Sequence, residues 1–197
     1  MKTPLVTLTA LCLLALPGCV IAADCRYSDD REQVVDVAGT ERVVIDAAAG
    51  WLRVEGGASS QVAAHGRACA SSEKILDDIE LTVDRRGDTI RVRVDMPHSF
   101  SWGRRRYARL DLEVELPDSL PVEIEDGSGW LEVRGVTSVR IKDGSGAIDI
   151  AHVGSVRIGS DGSGSIYIRY VAGDFTLDKD GSGSVQIADV KGRVEVP

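Results

Sequence analysis

The tetrapeptide Asp-Gly-Ser-Gly occurs four times in the second half of the chain, at 126–129, 143–146, 161–164 and 180–183. Successive copies begin 17, 18 and 19 residues apart, and a near-constant period of this size is typical of stacked structural repeats. Glycine tolerates positive φ, and Asp and Ser side chains can satisfy the backbone groups of a turn. The repeat therefore predicts a series of sharp turns, one in each unit of a repetitive fold.

Between the turns, each unit reads as two short strands in which every other residue is apolar. The first strands run over 130–133, 147–150, 165–168 and 184–187, and the second over 139–141, 156–158, 175–177 and 194–196. A recurrent valine separates them, at Val136, Val153, Val171 and Val190. Stacking in register gives internal columns such as Leu131, Ile148, Ile166 and Val185. We therefore predict an all-β, single-domain β-solenoid, of the β-helix or β-roll type, with coils of 17–19 residues and short two-strand repeats.

The first half carries a looser form of the same pattern. Alternating segments occur at 43–45, 50–54, 79–83, 90–94 and 110–116. The segment GWLRVEG at 50–56 closely echoes GWLEVRG at 129–135. We expect one continuous β domain from about residue 34 to the end, with a strand pair around Gly87 and one short helix at Ser72–Asp78. Within 24–197, residues 24–120 are expected to form irregular coils and 121–197 the regular repeats.

Composition agrees with a thin β architecture. Of the 197 residues, 43% are hydrophobic and only 5% aromatic, so the core must be built from Val, Ile, Leu and Ala. Charged residues make up 27%, and with this much apolar content beside them the chain is not a disordered polyelectrolyte. The net charge of −8 argues against a nucleic-acid partner, which requires basic surface.

The N-terminus has the order of a secretory signal peptide. Lys2 is followed by an apolar run from Leu5 to Leu16 and by small residues up to Ala23. We expect residues 1–23 to be a signal peptide cleaved after Ala23, and the protein to be exported, periplasmic or extracellular. Leu-Pro-Gly-Cys at 16–19 also resembles a lipoprotein cleavage box, so lipid anchoring through Cys19 is the alternative. No later segment reaches the ~20 apolar residues of a transmembrane helix.

Removal of the signal region leaves two cysteines, Cys25 and Cys69. Two cysteines in an exported chain favour a disulfide, and two free buried thiols are the alternative. A metal site is disfavoured because no His or second Cys stands at ligand spacing. The bridge would close a loop of 45 residues, which stabilises the fold by ~4 kcal/mol in the chain-entropy treatment.

An export signal comes first, followed by the self-echo at 50–54 and the strand pair around Gly87. The segment Leu112-Glu113-Val114-Glu115-Leu116-Pro117-Asp118 then leads into the repeated Gly-Ser-Gly turns. The order of these features resembles that of the bacterial putative adhesin family. This is a group of unknown function built from β-strand repeats. The resemblance covers nearly the whole chain after the signal region. It implies an exported β-solenoid, and it implies no ligand, cofactor or functional residue.

The four turn aspartates, Asp126, Asp143, Asp161 and Asp180, are expected to stack into an acidic ladder along one edge, since neighbouring strands lie ~4.8 Å apart. Calcium could relieve their repulsion, as in β-rolls with shorter repeats. The Gly-Gly-x-Gly-x-Asp nonapeptide of those proteins is absent here. Structural turn chemistry is therefore favoured over a metal site, and no cofactor is indicated.

A second candidate is the basic and aromatic segment between two predicted strands. Its candidate binding residues are Phe100, Trp102, Arg104, Arg105, Arg106 and Tyr107. Such residues suit anionic glycans, lipid headgroups or a partner protein. A solvated hairpin tip, or a flap that pairs with surface carboxylates, is the structural alternative.

Outward strand positions provide a third candidate. Glu132, Asp149, Tyr167 and Gln186 are expected in one column, and Arg140 and Arg157 in another. Trp51 and Trp130 each follow a glycine at corresponding positions and are expected at the surface. These residues form either a flat recognition surface or a solvated face.

Catalysis has little support in the sequence. His65, His98 and His152 have no partner at metal-ligand or nucleophile–base spacing. We expect a non-catalytic, adhesin-like interaction module whose partner is an envelope protein or a glycan. A structural or self-assembling envelope element is the alternative, through pairing at the strand edge near Val194–Pro197. A calcium-binding β-roll and a polysaccharide-active enzyme are less favoured.

Overall fold

The computed structural model describes residues 25–97 and 106–197. Within these ranges the chain forms sixteen β-strands and one short helix. The elements of the first half are β1 (Tyr27–Asp36), β2 (Arg42–Asp46), β3 (Leu52–Gly57), β4 (Gln61–Ala70), α1 (Glu73–Asp77), β5 (Glu80–Arg86), β6 (Thr89–Asp95) and β7 (Ala108–Pro117). Those of the second half are β8 (Val122–Asp126), β9 (Leu131–Arg134), β10 (Ser138–Asp143), β11 (Ile148–Val153), β12 (Ser155–Asp161), β13 (Gly164–Val171), β14 (Phe175–Leu177), β15 (Gly183–Val190) and β16 (Val194–Glu195).

The described strands form two eight-stranded sheets. Sheet A has the order β1-β4-β7-β3-β9-β11-β13-β15, and sheet B has the order β16-β14-β12-β10-β8-β2-β6-β5. The inward faces of both sheets supply one hydrophobic core. The prediction of an all-β architecture is therefore confirmed.

From β8 onward the chain alternates between the two sheets. Each strand pairs in parallel with the strand one repeat later, so that Ile148 stands between Leu131 and Ile166, and Ile166 pairs with Val185. We call one sheet B strand, the turn after it and the next sheet A strand a rung. The predicted column of inward-facing residues is confirmed, because rungs stack with like residues in register.

The self-echo of the first half has a direct structural cause. The rung made of β2 and β3 stacks on the rung made of β8 and β9, and Leu52 pairs with Leu131. On its other side Leu52 pairs with Leu112 of β7. The rungs are therefore not in chain order at this point, since β2 and β3 are inserted between β6–β7 and β8–β9.

The remaining strands pair in the antiparallel sense at one end of the sheets. β1 pairs with β4, β4 with β7, and β5 with β6 around the Gly87 turn. Helix α1 follows β4 and is capped by the Ser72 side chain, so the predicted short helix is confirmed. The disulfide predicted between Cys25 and Cys69 is present, with Cα atoms 5.5 Å apart. No helix in the described ranges is long and apolar enough to cross a membrane.

The fourth residue of each turn is a glycine that the stacking requires. Gly129, Gly146, Gly164 and Gly183 have φ between +136° and +150°. A Cβ on Gly146 would lie 1.6 Å from the carbonyl oxygen of Gly129 in the neighbouring rung. Only glycine allows the backbones of neighbouring turns to approach this closely.

Side chains become more exposed to solvent toward the last rungs. Ile148 and Ile150 of β11 are fully buried, whereas Val194 of β16 is 46% exposed. Phe175 is the largest fully buried side chain among the described residues, and Val, Ile and Leu fill most of the core. Full burial of one such side chain contributes about 1.5–3 kcal/mol, so the central rungs hold most of the apolar stabilisation.

Candidate functional site

The outer face of sheet A carries a cluster of aromatic and charged side chains. Leu52 of β3 and Leu131 of β9 face the core, so alternation places the residues before and after them on the outside. Trp51 and Trp130 are therefore neighbours across the two strands, and Arg53 and Glu132 pair in the same register. We call Trp51, Arg53, Trp130, Glu132 and Arg134 the Trp–Arg face.

Arg53 holds this face together. Its guanidinium carbon lies 5.8 Å from the ring centroid of Trp51 and 5.7 Å from that of Trp130, within the range of cation–π attraction. The same guanidinium donates from Nε to Oε2 of Glu132 at 2.8 Å. Trp130 remains 37% exposed, so an indole that Arg53 positions is still accessible to a ligand.

Glu132 occupies an outward strand position but is only 5% exposed. Arg134 donates from Nε to its Oε1, and Arg53 to its Oε2. Burial alone would raise the pKa of Glu132, but the hydrogen bonds from Arg134 and Arg53 outweigh burial and lower it. Glu132 is therefore a fixed anion that orients both guanidinium groups.

A shallow groove of about 360 Å³ adjoins Trp51 on the side of β7, β4 and β1. Its lining includes Asp30, Glu32, His65, Arg67 and Glu113. Arg67 lies 3.6 Å from Asp30, and the His65 ring lies 3.9 Å from Glu32. An indole beside carboxylates and guanidinium groups can stack on a sugar ring while the polar groups bind its hydroxyls.

The predicted columns of outward residues are in register. Glu132 pairs with Asp149, Asp149 with Tyr167, and Tyr167 with Gln186. On sheet B, Arg140 pairs with Arg157. Asp149 is held by Arg169 at 2.7 Å and Arg157 by Asp178 at 2.9 Å. Of these column residues outside the Trp–Arg face, Asp149 and Arg157 are engaged in ion pairs.

Most of the predicted basic and aromatic loop lies outside the described residues. Residues 98–105 include Phe100, Trp102, Arg104 and Arg105, and binding by this loop stays a prediction. Arg106 is exposed, whereas Tyr107 is half-buried. The Tyr107 hydroxyl accepts a hydrogen bond from the Arg26 amide at 2.9 Å. Tyr107 therefore joins the start of β7 to the segment beside the disulfide.

The turn aspartates form the expected ladder, but they point into the protein. Asp126, Asp143 and Asp161 pair in register, and Asp161 bridges to Asp180. The first three are only 7%, 6% and 3% exposed. Carboxylate oxygens of all four are buried without a hydrogen-bond partner among the described residues. They lie inside because Val122, Ile124 and Asp126 occupy alternate, inward positions of β8.

Burial raises the pKa of Asp126 to about 6, and it raises the pKa of Asp143 to about 6. Burial, with added repulsion from Asp143 and Asp180, raises the pKa of Asp161 to about 7. Within the described ranges, no group of three or more His, Cys, Asp or Glu side chains is arranged to hold a metal ion. Asp126, Asp143 and Asp161 therefore tend to retain their protons at mildly acidic pH.

The sequence identified Trp51, Trp130 and Glu132 as surface positions but not Arg53, which connects them. Arg53 stands two residues after Trp51 in the alternating segment, and this i, i+2 spacing was the available signal. The contact with Trp130 depends on the pairing of β3 with β9. That pairing joins segments 79 residues apart, between Arg53 and Glu132.

No protein-family model matches the chain, and no curated protein matches it in sequence. Among solved structures, the chain is similar to a putative cell adhesion protein from Clostridium sporogenes, 13% identical with a TM-score of 0.44 over 86% of this chain and 98% of that one. A putative adhesin from Bacteroides fragilis is 8% identical with a TM-score of 0.37 over 86% and 97%. A putative adhesin from Parabacteroides distasonis is 9% identical with a TM-score of 0.36 over 85% and 97%.

These names are consistent with the resemblance to the putative adhesin family that the sequence indicates. With TM-scores below 0.5, the likeness carries no conclusion about ligand or mechanism. Function is therefore argued from the residues of this chain.

Proposed function

We propose that this chain is an exported, non-catalytic binding protein, built as a β-solenoid, whose Trp–Arg face binds a glycan. The observation that carries the proposal is the pair of neighbouring indoles, Trp51 and Trp130, held beside one guanidinium on an outer sheet face. Indole rings stack on the apolar faces of sugars, and fixed charged groups beside them bind hydroxyls. An envelope protein is the alternative partner.

The charged groups around Trp51 favour binding over catalysis. Asp111 accepts from the Trp51 backbone amide at 3.2 Å and lies 3.3 Å from Arg109 Nε. Arg53 reaches both Glu113, at 3.9 Å, and Glu132. Carboxylates engaged in this way orient a ligand, whereas general acid–base chemistry needs a group free to exchange its proton with the substrate.

The binding proposal is tested by measuring affinity for immobilised neutral glucans, mannans and purified peptidoglycan, with tryptophan emission as a second readout. We expect Trp51→Ala and Trp130→Ala each to weaken binding at least tenfold to the glycan that the unmodified chain retains. Tyr170→Asn is the matched control, because Tyr170 is a 52% exposed aromatic residue elsewhere on sheet A. Equal binding by both Trp variants and the unmodified chain would overturn the assignment to this face.

Export is supported by the disulfide Cys25–Cys69, since disulfides persist in oxidising compartments. Mass spectrometry of the protein from a fractionated bacterial host tests it. A chain that begins at Asp24 indicates cleavage after Ala23, and a diacylated chain that begins at Cys19 indicates lipid anchoring. An uncleaved cytoplasmic chain with reduced cysteines would contradict export.

A second candidate function is self-association as an envelope element. The observation that favours it is the edge formed by β15 and β16, where Ile187, Val194 and Val196 are 36%, 46% and 52% exposed. Exposed strand edges can pair with another copy. Light scattering over a concentration series tests it: growth in mass that Val194→Lys abolishes supports it, and a constant monomer mass counts against it.

A further inference from the structure

A wide groove lies on the outer face of sheet B, opposite the Trp–Arg face. It has a volume of about 750 Å³ and runs across β6, β2, β8 and β10. Val44 forms part of its floor, because Val44 pairs with Arg91 on one side and Glu123 on the other. A short apolar side chain between long charged ones leaves a channel perpendicular to the strands.

The groove is basic, although the chain has a net charge of −8. Its cationic lining residues are Arg42, Arg86, Arg91, Arg140 and Lys142. Its acidic lining residues are Asp46, Glu123 and Glu125. Five positive charges against three negative ones give a local excess of two. This surface therefore attracts an anion that the rest of the protein repels.

Three of the cations are already engaged. Arg91 pairs with Asp46 at 3.2 Å, Lys142 with Glu125 at 2.7 Å, and Arg86 with Asp84 at 2.7 Å. The guanidinium groups of Arg42 and Arg140 have no ion-pair or hydrogen-bond partner within residues 25–97 and 106–197, and both side chains are exposed. These two arginines are thus the groups available to an incoming anion.

Arg42 and Arg140 stand at opposite sides of the groove. They are two strands and two residues apart in the register of β2, β8 and β10, which corresponds to roughly 12 Å between their Cα atoms. This separation is comparable to the length of two linked sugar rings. A guanidinium binds a carboxylate or sulfate through two parallel hydrogen bonds.

We propose that this groove binds an acidic polysaccharide, with Arg42 and Arg140 on two of its anionic groups and Glu123 on a hydroxyl between them. The carboxylates of Asp46, Glu123 and Glu125 accept hydrogen bonds from sugar hydroxyls, which an acidic polysaccharide presents on every unit. The apolar side chain of Val44 lies on the floor between longer charged side chains, so the groove offers little apolar surface to a bilayer.

This inference rests on the proposed function in one respect, since both assign a glycan to an exported binding protein. It concerns a different sheet and a different ligand charge, so the two can fail separately. Loss of neutral-glycan binding in Trp130→Ala with retained binding of an acidic polysaccharide separates the faces.

The test uses the exported chain and immobilised polygalacturonate, with dextran sulfate as a second anionic probe and dextran as the uncharged one. We expect Arg42→Gln/Arg140→Gln to weaken polygalacturonate binding at least tenfold, and added salt to weaken binding of the unmodified chain. The matched control is Arg169→Gln/Arg193→Gln, which removes the same charge from arginines outside the groove, paired with Asp149 and Asp174.

Polygalacturonate binding that the groove variant loses and the control variant keeps supports the proposal. Equal binding by the groove variant and the unmodified chain overturns it. Binding to phosphatidylglycerol vesicles or single-stranded DNA, without binding to either acidic polysaccharide, also overturns it, because it assigns the cations to another class of partner. Thermal unfolding of each variant at the assay pH establishes that the fold is retained.

Discussion

At the scale of single residues, the buried carboxyl column is the most unusual feature of the protein. A buried carboxylate without a hydrogen-bond partner is costly, and protonation is the usual way of lowering that cost. Asp126 belongs to the first regular rung. In the β2–β3 rung, which stacks on it, the equivalent residue is Ala47. The column therefore begins where the Asp-Gly-Ser-Gly turn begins, and it continues to Asp180.

This column predicts that the protein is more stable at mildly acidic than at alkaline pH. The pKa values of Asp126 and Asp143 rise to about 6 and that of Asp161 to about 7 in the folded protein. The folded state therefore binds more protons than the unfolded state between about pH 4 and pH 7. The free energy of unfolding then falls as the pH rises through 6 to 7.

Asp143→Asn tests this reasoning, because the amide keeps the shape of the carboxyl and cannot ionise. We expect the substitution to raise the free energy of unfolding at pH 8 by about 3 kcal/mol and to change it little at pH 4, where Asp143 is protonated in the folded protein and about half-protonated in the unfolded chain. Urea unfolding at both pH values measures the difference. Asp95→Asn, at an exposed strand end, is the control and should show no such dependence. The same effect at both pH values would contradict a titrating column.

The sequence predicted the ladder but not its burial. The Asp-Gly-Ser-Gly motif has the composition of a surface turn, which placed the carboxylates on an edge. The alternation of Val122, Ile124 and Asp126 continues the inward face into the turn, and this pattern was readable from the sequence. What could not be read was the close stacking of the turns, which removes water from the carboxyl groups.

At the scale of elements, the turns decide how closely the rungs approach. The glycine that ends each turn faces the backbone of the glycine one rung away, and in Gly183 a Cβ would lie 1.5 Å from the Gly164 oxygen. The turn is therefore a contact between backbones rather than a flexible connection. The close approach of the neighbouring turn requires glycine at this position.

Gly146→Ala should consequently destabilise the protein by about 3 kcal/mol or more. Its φ of +142° is unfavourable for a residue with a Cβ, and the new atom would overlap the Gly129 carbonyl. Gly57→Ala is the matched control, since nothing lies within 4 Å of its Cβ position, and its effect should be near zero. Denaturant unfolding of the two variants measures both, and a loss at Gly146 no greater than that at Gly57 would disprove the packing argument.

The sequence predicted the strands with large apolar residues and missed two long strands, β1 and β4. The inward residues of β4 are small, including Ala64, Gly66 and Ala68, so its alternation is weak by hydrophobicity. β1 is an edge strand with mostly exposed residues, and it has no apolar face to recognise. The expected start of the β domain near residue 34 is consequently late, since β1 begins at Tyr27.

At the scale of the whole molecule, each rung contacts only its neighbours, so stability is distributed along the stack. β11 of a central rung has four buried residues among six, whereas the eight residues of β15 are half-buried or exposed. Opening of the β15–β16 end therefore exposes little apolar surface. Opening at β11 would expose a continuous core.

Native-state hydrogen exchange should accordingly show a gradient. We expect amides of β15 and β16 to exchange through local opening, with a free energy well below that of global unfolding, and amides of β9 and β11 to exchange only on global unfolding. Exchange measured by mass spectrometry with peptide resolution tests this. Equal protection along all rungs would mean that the molecule unfolds as a single cooperative unit.

The order in which the rungs stack could not be predicted from the sequence. A period of 17 to 19 residues predicts stacking of consecutive units, but β2 and β3 are separated in the chain from β8 and β9, on which they stack. The echo of 50–56 in 129–135 indicated equivalence and not contact. Both candidate surfaces depend on this order, because Arg53 meets Trp130 and Val44 lies beside Glu123 only through these pairings.

Because the rungs stack in register, the length of the molecule depends on the number of repeat units. Gly159 is the residue added in one 18-residue unit, and a bulge next to it absorbs the change while Asp143 and Asp161 stay aligned. A unit can thus vary in length without disturbing the column above or below it. Duplication or loss of one unit would change the length of the protein by about 4.8 Å. A lineage could therefore adjust how far its surfaces stand from one another by copy number alone, leaving every existing contact in place.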